Sequence, residues 1–477
     1  MKNKIILLLT LCSVSLNAQK KWTLKECINY ALEHNISVQK SALDIETAKV
    51  NLHGAKGNFL PNLNANAGHN WNTGLNTNPI TNTNSVETTQ NTRFGISSSI
   101  IIYNGAKNLH QLHRANLSLL ANQYRLDDMK DNISLRITNA FLQVTFNKES
   151  LKTLKNQLNL SITQLKRAKE LVNAGTIPEG DLLEIEANIA GQELRIINSE
   201  NSIKSSKITL ANLLLLKDYQ NFEISDAAYE LPKSTILATD LSAIYSKAIE
   251  TRNNIKALKT NVEISEDNLK ISKSDLLPTL TGSYGYSTRV SQNNGVNRDL
   301  DPNNPQSFKE IGQVEGTGEK VLTLTEQPNY IVTERGPKSF FNQFDTNGGH
   351  SFGLSLNIPI FNRFVTKNSI KRSKLNLKIS ELNLEQSKID LRDQVYQAYN
   401  DTQGALKTFE ASQKTLVARK GAYQYANEKY KNGLIDSFVL SQNKNQFENA
   451  QNDLIRAKYD YIFKLKILEF YFGVKLH

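Results

Sequence analysis

Apolar residues recur every seven positions along six stretches of the chain. Leu24, Ala31, Val38, Ile45, Leu52 and Phe59 form the first series. Leu151, Leu158, Leu165 and Val172 form the second, and Leu182, Ile189, Ile196, Ile203 and Leu210 the third. Leu241, Ala248, Ile255, Val262, Leu269 and Leu276 form the fourth, and Phe409, Leu416, Tyr423 and Tyr430 the fifth. Leu440, Phe447, Leu454, Tyr461 and Leu468 form the last. A seven-residue apolar repeat over several turns predicts helices packed along coiled-coil seams. Two of the stretches are joined at Gly175-Thr176-Ile177-Pro178, and two at Gly433-Leu434-Ile435-Asp436. Glycine past a helix end, then Pro178 or Asp436 at the restart, predicts helical hairpin tips over 174–181 and 432–439. No proline or glycine interrupts residues 106–173, so a continuous helix there would be on the order of 100 Å long.

The period changes to two in four places. Leu63, Ala65, Ala67, His69 and Trp71 alternate with asparagine and glycine, predicting a strand over about 62–71. Further strands are predicted over about 93–103, 279–287 and 350–361, with Phe94, Ile96, Ile100 and Ile102, Tyr284 and Tyr286, and Phe352, Leu354, Leu356, Ile358 and Ile360 on one face. Residues 72–92, rich in Asn and Thr, read as a loop. So do residues 288–349, with an extra hairpin between 321–325 and 330–334. Pro61 and Pro278 end the helices that precede the strands, because proline disfavours helix in the residue before it.

These elements occur twice. The first and fourth series match at an offset of 217. Arg93-Phe94-Gly95-Ile96-Ser97 and Ser351-Phe352-Gly353-Leu354-Ser355 match at 258, as do the two tips. The chain reads as residues 1–18, a first repeat over 19–216, a link over 217–240 and a second repeat over 241–477. Each repeat runs helix, helix, strand, loop, strand, very long helix, tip, helix.

Composition narrows the setting. Residues 1–18 have Lys2 and Lys4, an apolar run from Ile5 to Leu11 and a small-residue end at Ala18, which is the pattern of a secretory signal. The large Leu11 argues against a lipoprotein site at Cys12. No other run approaches the ~20 apolar residues of a spanning helix. Without the signal the net charge falls from +11 to +9, and one cysteine, Cys27, remains at an apolar helix position. The lysines and arginines are spread among acids and amides on helix faces, so with export they exclude a nucleic-acid partner. His110 and His113 lack a third ligand at metal spacing, and Gly316-Thr317-Gly318-Glu319-Lys320 lacks the spacing of a phosphate loop. No nucleophile, base or zinc pattern marks an enzyme, and no cofactor is expected.

Four half-apolar strands cannot close a sheet by themselves, and their edges need partners. An apolar outward face, aromatic residues near the strand ends (Trp71, Tyr103, Tyr286, Phe361) and a polar Asn/Ser/Thr face fit an outer-membrane barrel closed by oligomerisation. A periplasmic coiled-coil structural or adhesive protein is the alternative of another class.

The ordered set of motifs resembles the TolC-type outer-membrane efflux proteins over nearly the whole mature chain. It comprises Leu60-Pro61-Asn62-Leu63 and Leu277-Pro278-Thr279-Leu280 entering strands, and Ile102-Tyr103-Asn104-Gly105 and Ile360-Phe361-Asn362-Arg363 leaving them. The glycine tips complete it. The resemblance implies an α+β membrane protein and a homotrimer, with a twelve-stranded barrel in outer-membrane lipid continued by a periplasmic helical barrel. It implies tips at Gly175, Thr176, Ile177, Gly433, Leu434 and Ile435 that dock on a periplasmic adaptor protein, served by an inner-membrane pump of RND or ABC type. Such an assembly is a tripartite efflux or type I secretion system. The family's constriction is ringed by acids six and nine positions after the second tip glycine, where this chain has Val439 and Gln442. The same offsets after the first tip hold Asp181 and Glu184, which makes these four the candidate pore constriction. Asn362-Arg363 stands where the family commonly has a glycine pair.

Overall fold

The computed structural model describes residues 21–77, 84–225, 235–292 and 295–474. The expected signal, and Cys12 within it, lie outside the described residues. In chain order the elements are β1 (Lys21–Trp22), α1 (Leu24–His34), α2 (Ile36–Gly57), β2 (Asn62–Thr77), β3 (Asn84–Tyr103), α3 (Lys107–Asn173), α4 (Glu179–Leu213) and β4 (Glu223–Ile224). They continue with α5 (Leu241–Thr251), α6 (Asn253–Ser274), β5 (Thr279–Ser291), β6 (Gly295–Leu300), β7 (Gln306–Ser307), β8 (Glu310–Gln313), β9 (Lys320–Leu322), β10 (Gln327–Pro328) and β11 (Tyr330–Arg335). The last are α7 (Phe340–Thr346), β12 (Gly349–Asn357), α8 (Val365–Lys431) and α9 (Ser437–Phe472). The chain divides into a helical unit (up to 52, 113–269, 371 onward) and a strand unit (53–112, 270–370).

In the helical unit the repeat is written into the caps and cores. Thr23 opens α1 with a capping box to Glu26, and Asp240, at the offset of 217, caps α5 through the Ser242 amide. Two buried clusters follow. One holds Cys27, Ala31, Val38, Ile133, Ile137 and Leu210; the other holds their counterparts Ile244, Ala248, Ile255, Leu391, Val395 and Leu468. Cys27 is a buried thiol, outside any disulfide, in the place of an isoleucine, a core residue as its position predicts. Arg252 ends α5 and is 8 % exposed, with Asp128 3.3 Å away, Asp131 3.8 Å away and the Phe470 ring under its guanidinium at 3.9 Å. Burial raises the pKa of both aspartates, with Arg252 opposing it.

The heptads pack as predicted, with one addition. In the second hairpin Phe409 stacks on Tyr461 and Tyr423 on Phe447, so the fifth and sixth series face each other. In the first hairpin Leu151, Leu158 and Leu165 are only part-buried, whereas Leu154, Ser161 and Ala168 are buried. The seam has two lines three residues apart, and a leucine, a serine and an alanine hold the deeper one.

The strand unit holds one antiparallel sheet in the order β12-β5-β3-β2. The four strands run as one continuous ladder, because β3 pairs with β5 as well as β2. Three are longer than their sequence patterns predict. The stretch 72–92 is strand on both sides of residues 78–83, with Thr73 opposite Thr88 and Leu75 opposite Val86. β12 is shorter than predicted and ends at Asn357, two residues before Pro359, so Ile360 and Phe361 lie beyond it. The expected hairpin between 321–325 and 330–334 does not form. β11 pairs with β6, β10 with β7 and β9 with β8, making one nested arm that turns at Gly316 and Gly318.

The register sorts the sheet into two faces. Leu63, Ala65, Ala67, Trp71, Phe94, Ile96, Tyr284, Tyr286, Phe352, Leu354 and Leu356 share one. Asparagine, serine, threonine and glycine dominate the other. Much of the apolar face is bare: Phe352 is 82 % exposed, Leu63 75 % and Trp71 65 %. A bulge between Ile101 and Tyr103 resets the register and pairs Tyr103 with Leu280 of the apolar face. The short helix α7, missing from the sequence reading, lies on this same face. Phe340 and Phe344 meet Phe94, and Thr288 Oγ1 donates to the Phe344 carbonyl. Trp71, beside His69, lies further along β2 on this face, whereas Tyr103 lies at the other end of the strands, Tyr286 between, and Phe361 past β12 against Phe364. No described helix is long and apolar enough to cross a membrane.

Both strand exits turn sharply into the long helices. Gly105 and Ala106 have φ of 65° and 62°; their counterparts Arg363 and Phe364 have 52° and 64°. A Cβ at Gly105 would lie 2.7 Å from Leu277, so space as well as the left-handed backbone favours glycine there. The second repeat adopts the same left-handed pair without glycine.

Candidate functional site

The hairpin tips are built by the backbone. At the first, the Gly175 amide donates to the Val172 carbonyl and the Thr176 amide to Leu171, each at 2.9 Å. At the second, Gly433 donates to Tyr430 and Leu434 to Lys429. Both are Schellman turns, and Gly175 (φ 69°) and Gly433 (φ 70°) hold the left-handed position. Pro178 opens α4, and the Asp436 carboxylate accepts from the Val439 amide to open α9. Thr176 and Leu434 are exposed, Ile177 and Ile435 part-buried. Leu183, Leu434 and Phe438 are each more than 60 % exposed, an apolar surface at the two hairpin turns.

Behind the tips the two hairpins enclose a cleft of about 500 Å³ lined by Gln164, Leu171, Glu184, Asn188, Tyr423 and Tyr430, among others. Glu184 lines it, and Asp181, one turn earlier on α4, reaches Ser437 on the second hairpin. Ser437 Oγ donates to Asp181 at 2.7 Å and Ser441 Oγ to Glu184 at 3.3 Å; Asn188 donates to both Glu184 and Ser441. Burial raises the Tyr430 pKa, and the adjacent Asp181 charge adds to the rise. The structure thus brings two of the four candidate constriction residues together and ties them to the second hairpin. Val439 and Gln442 are not part of this contact. They follow Ser437 and Ser441 by two and one positions, which turns them to other sides of α9, where both are exposed.

Deeper in the cleft lies a charged network that the apolar pattern does not reveal. Lys444 donates to Ser161 Oγ at 2.5 Å and Gln164 Oε1 at 2.8 Å, and its ammonium is 3.8 Å from Glu448. Glu448, 4 % exposed, accepts from Gln192 at 3.0 and 3.1 Å and lies 3.7 Å from Arg195. Burial lowers the Lys444 pKa, with Glu448 opposing it and Arg195 reinforcing it. The only sequence signal was the i, i+4 spacing of Lys444 and Glu448 beside a seam position.

His113 is bound to Asp267 at 2.5 Å, and no three His, Cys, Asp or Glu side chains converge as metal ligands among the described residues. The Gly316–Lys320 run is the turn of the β8–β9 hairpin.

A family model described as outer membrane efflux protein matches residues 27–214 and 244–474, one segment per repeat. The chain belongs to the outer membrane efflux protein family. Solved channels share the fold at low identity. The Campylobacter jejuni CmeC outer membrane channel matches with a TM-score of 0.73 and 15 % identity, over 94 % of this chain and 85 % of that one. The Vibrio cholerae outer membrane protein VceC matches at 0.72 and 13 %, over 94 % and 96 %. The open state of the Neisseria gonorrhoeae MtrE outer membrane channel matches at 0.67 and 15 %, over 95 % and 89 %. A search of curated protein sequences finds no significant match. As an outer membrane efflux protein, the chain has a TolC-like fold with an internal repeat and the role of an outer-membrane channel. Its family is one of channels rather than enzymes.

Proposed function

We propose that three copies form one tube. Each contributes four strands to a twelve-stranded barrel, and the long helices continue it as a tunnel in the periplasm. The observation that carries this reading is the sheet: among the described residues β2 and β12 have no strand beyond them, one face is apolar and bare, and the other is polar. An open edge and a bare apolar face are both costly in water, and lipid together with neighbouring copies removes both costs.

On this reading substrates pass passively from a periplasmic adaptor and an inner-membrane pump, of RND or ABC type, to the exterior. The exposed tips around Gly175, Thr176, Ile177, Gly433, Leu434 and Ile435 receive the adaptor. Asp181 and Glu184 serve the constriction, held by Ser437 and Ser441 of the second hairpin, with Val439 and Gln442 on the free side of α9. Mass measurement on detergent-extracted protein tests the assembly. Three chains per particle are expected, and a stable monomer would remove the barrel.

A further inference from the structure

Rows of cross-strand partners order the polar face of the sheet. Asn62, Ser99, Ser283 and Gly353 form one row; Asn64, Ser97, Gly285 and Ser351 the next; Asn66, Gly95, Ser287 and Gly349 a third. All are uncharged. In the fourth row Gly68 lies opposite Arg93, and Arg93 directly opposite Arg289. Glu87, the one carboxylate on this face of the sheet, is three rows further on, opposite Gly74. Both arginines are exposed, and among the described residues neither guanidinium makes an ion pair.

Like charges directly opposite on a sheet destabilise it, and the glycine, serine and asparagine around this pair cannot neutralise it. What would relieve it is a counter-charge from solution. A guanidinium presents a planar fork of donors that matches phosphate and carboxylate oxygens.

We propose that Arg93 and Arg289 form an anion-binding ring in the lumen of the barrel, selecting solutes with two or more negative charges on phosphate or carboxylate groups. This rests on the trimeric tube proposed above, in which the polar face lines the lumen and three copies set six guanidinium groups at one level. Twelve strands about 4.8 Å apart and tilted by about 40° give a backbone radius of roughly 12 Å. The side chains reach inward from that wall, and the screening length is about 8 Å at physiological salt, so the fields of the six charges overlap at the axis. Rings of arginine or lysine favour anions in pores. The barrel would then bear a positive filter, distinct from the carboxylates Asp181 and Glu184 of the tips.

The test is block of single-channel current in a planar bilayer by sodium pyrophosphate added to the barrel side. The double substitution Arg93→Gln with Arg289→Gln should raise the half-blocking concentration about tenfold, whereas Arg93→Lys with Arg289→Lys, which keeps the charge and loses only the fork, should raise it less. Conducting Gln variants blocked at the wild-type concentration would overturn the proposal, as would wild-type channels insensitive to pyrophosphate from that side. Failure of every form to conduct, with monomers by mass, would instead remove the trimeric tube and the ring with it.

Discussion

Removing Glu448 isolates one buried charge and asks how much the network behind the tips contributes. In Glu448→Ala the Lys444 side chain, 13 % exposed, keeps Ser161 and Gln164 as acceptors but loses the Glu448 carboxylate as its ion-pair partner, while Gln192 loses its acceptor. Breaking a buried pair from one side costs about 3–5 kcal/mol, because the surviving charge stays desolvated. Replacing both partners by apolar residues of similar size is often neutral or stabilising. Lys444→Met with Glu448→Leu should therefore melt at or above wild type. For a chain of this length a kcal/mol corresponds to about 1–2 °C, so Glu448→Ala should melt about 5 °C lower. Thermal unfolding of detergent-solubilised protein, followed by circular dichroism at one scan rate, gives the comparison. A Glu448→Ala protein that melts with wild type, or a double variant that melts below the single one, would refute the reasoning.

Asp181→Asn with Glu184→Gln weakens the charge-assisted bonds to Ser437 and Ser441, so single-channel conductance should rise and cation preference fall; unchanged selectivity would remove these residues from the gate. Arg363→Gly relieves a left-handed backbone and should stabilise the protein by about 1 kcal/mol, whereas Gly105→Ala at the matching position should destabilise it; melting temperatures check both signs. Burial pushes the Glu223 carboxyl up, but Lys148 and Lys207, each at 2.5 Å, outweigh it and leave the pKa below 4.5. Its contribution to stability is therefore present above pH 4.5 and lost as pH falls through the lowered value, so Glu223→Gln should flatten the acid limb of the melting curve against pH.

Much of this molecule is legible without coordinates, because its order is local and doubled. Heptads, glycine tips and alternating strands depend only on side-chain periodicity and on backbone conformations that few residues tolerate. The two repeats then confirm each other, down to Thr23 and Asp240 as caps and to the matched core positions from Cys27 and Ile244 onward. Other features depended on which surface each element meets. Leu154, Ser161 and Ala168 form the deeper seam line, but a serine and an alanine do not stand out as apolar; their small size allows the close approach. Residues 72–77 and 84–92 read as loop because asparagine and threonine mask the alternation, yet the ladder runs through them on Thr–Thr and Leu–Val partners. The arm over 295–335 pairs outer segment with outer and inner with inner, a choice set by where the chain can turn. Asp181 meets Ser437, and Lys444 meets Ser161, only because two hairpins far apart in sequence pack side by side. Periodicity determines which face of a helix or strand is apolar; tertiary packing decides which polar group on the other faces finds a partner, and it sets Arg93 opposite Arg289 with no ion pair to either among the described residues.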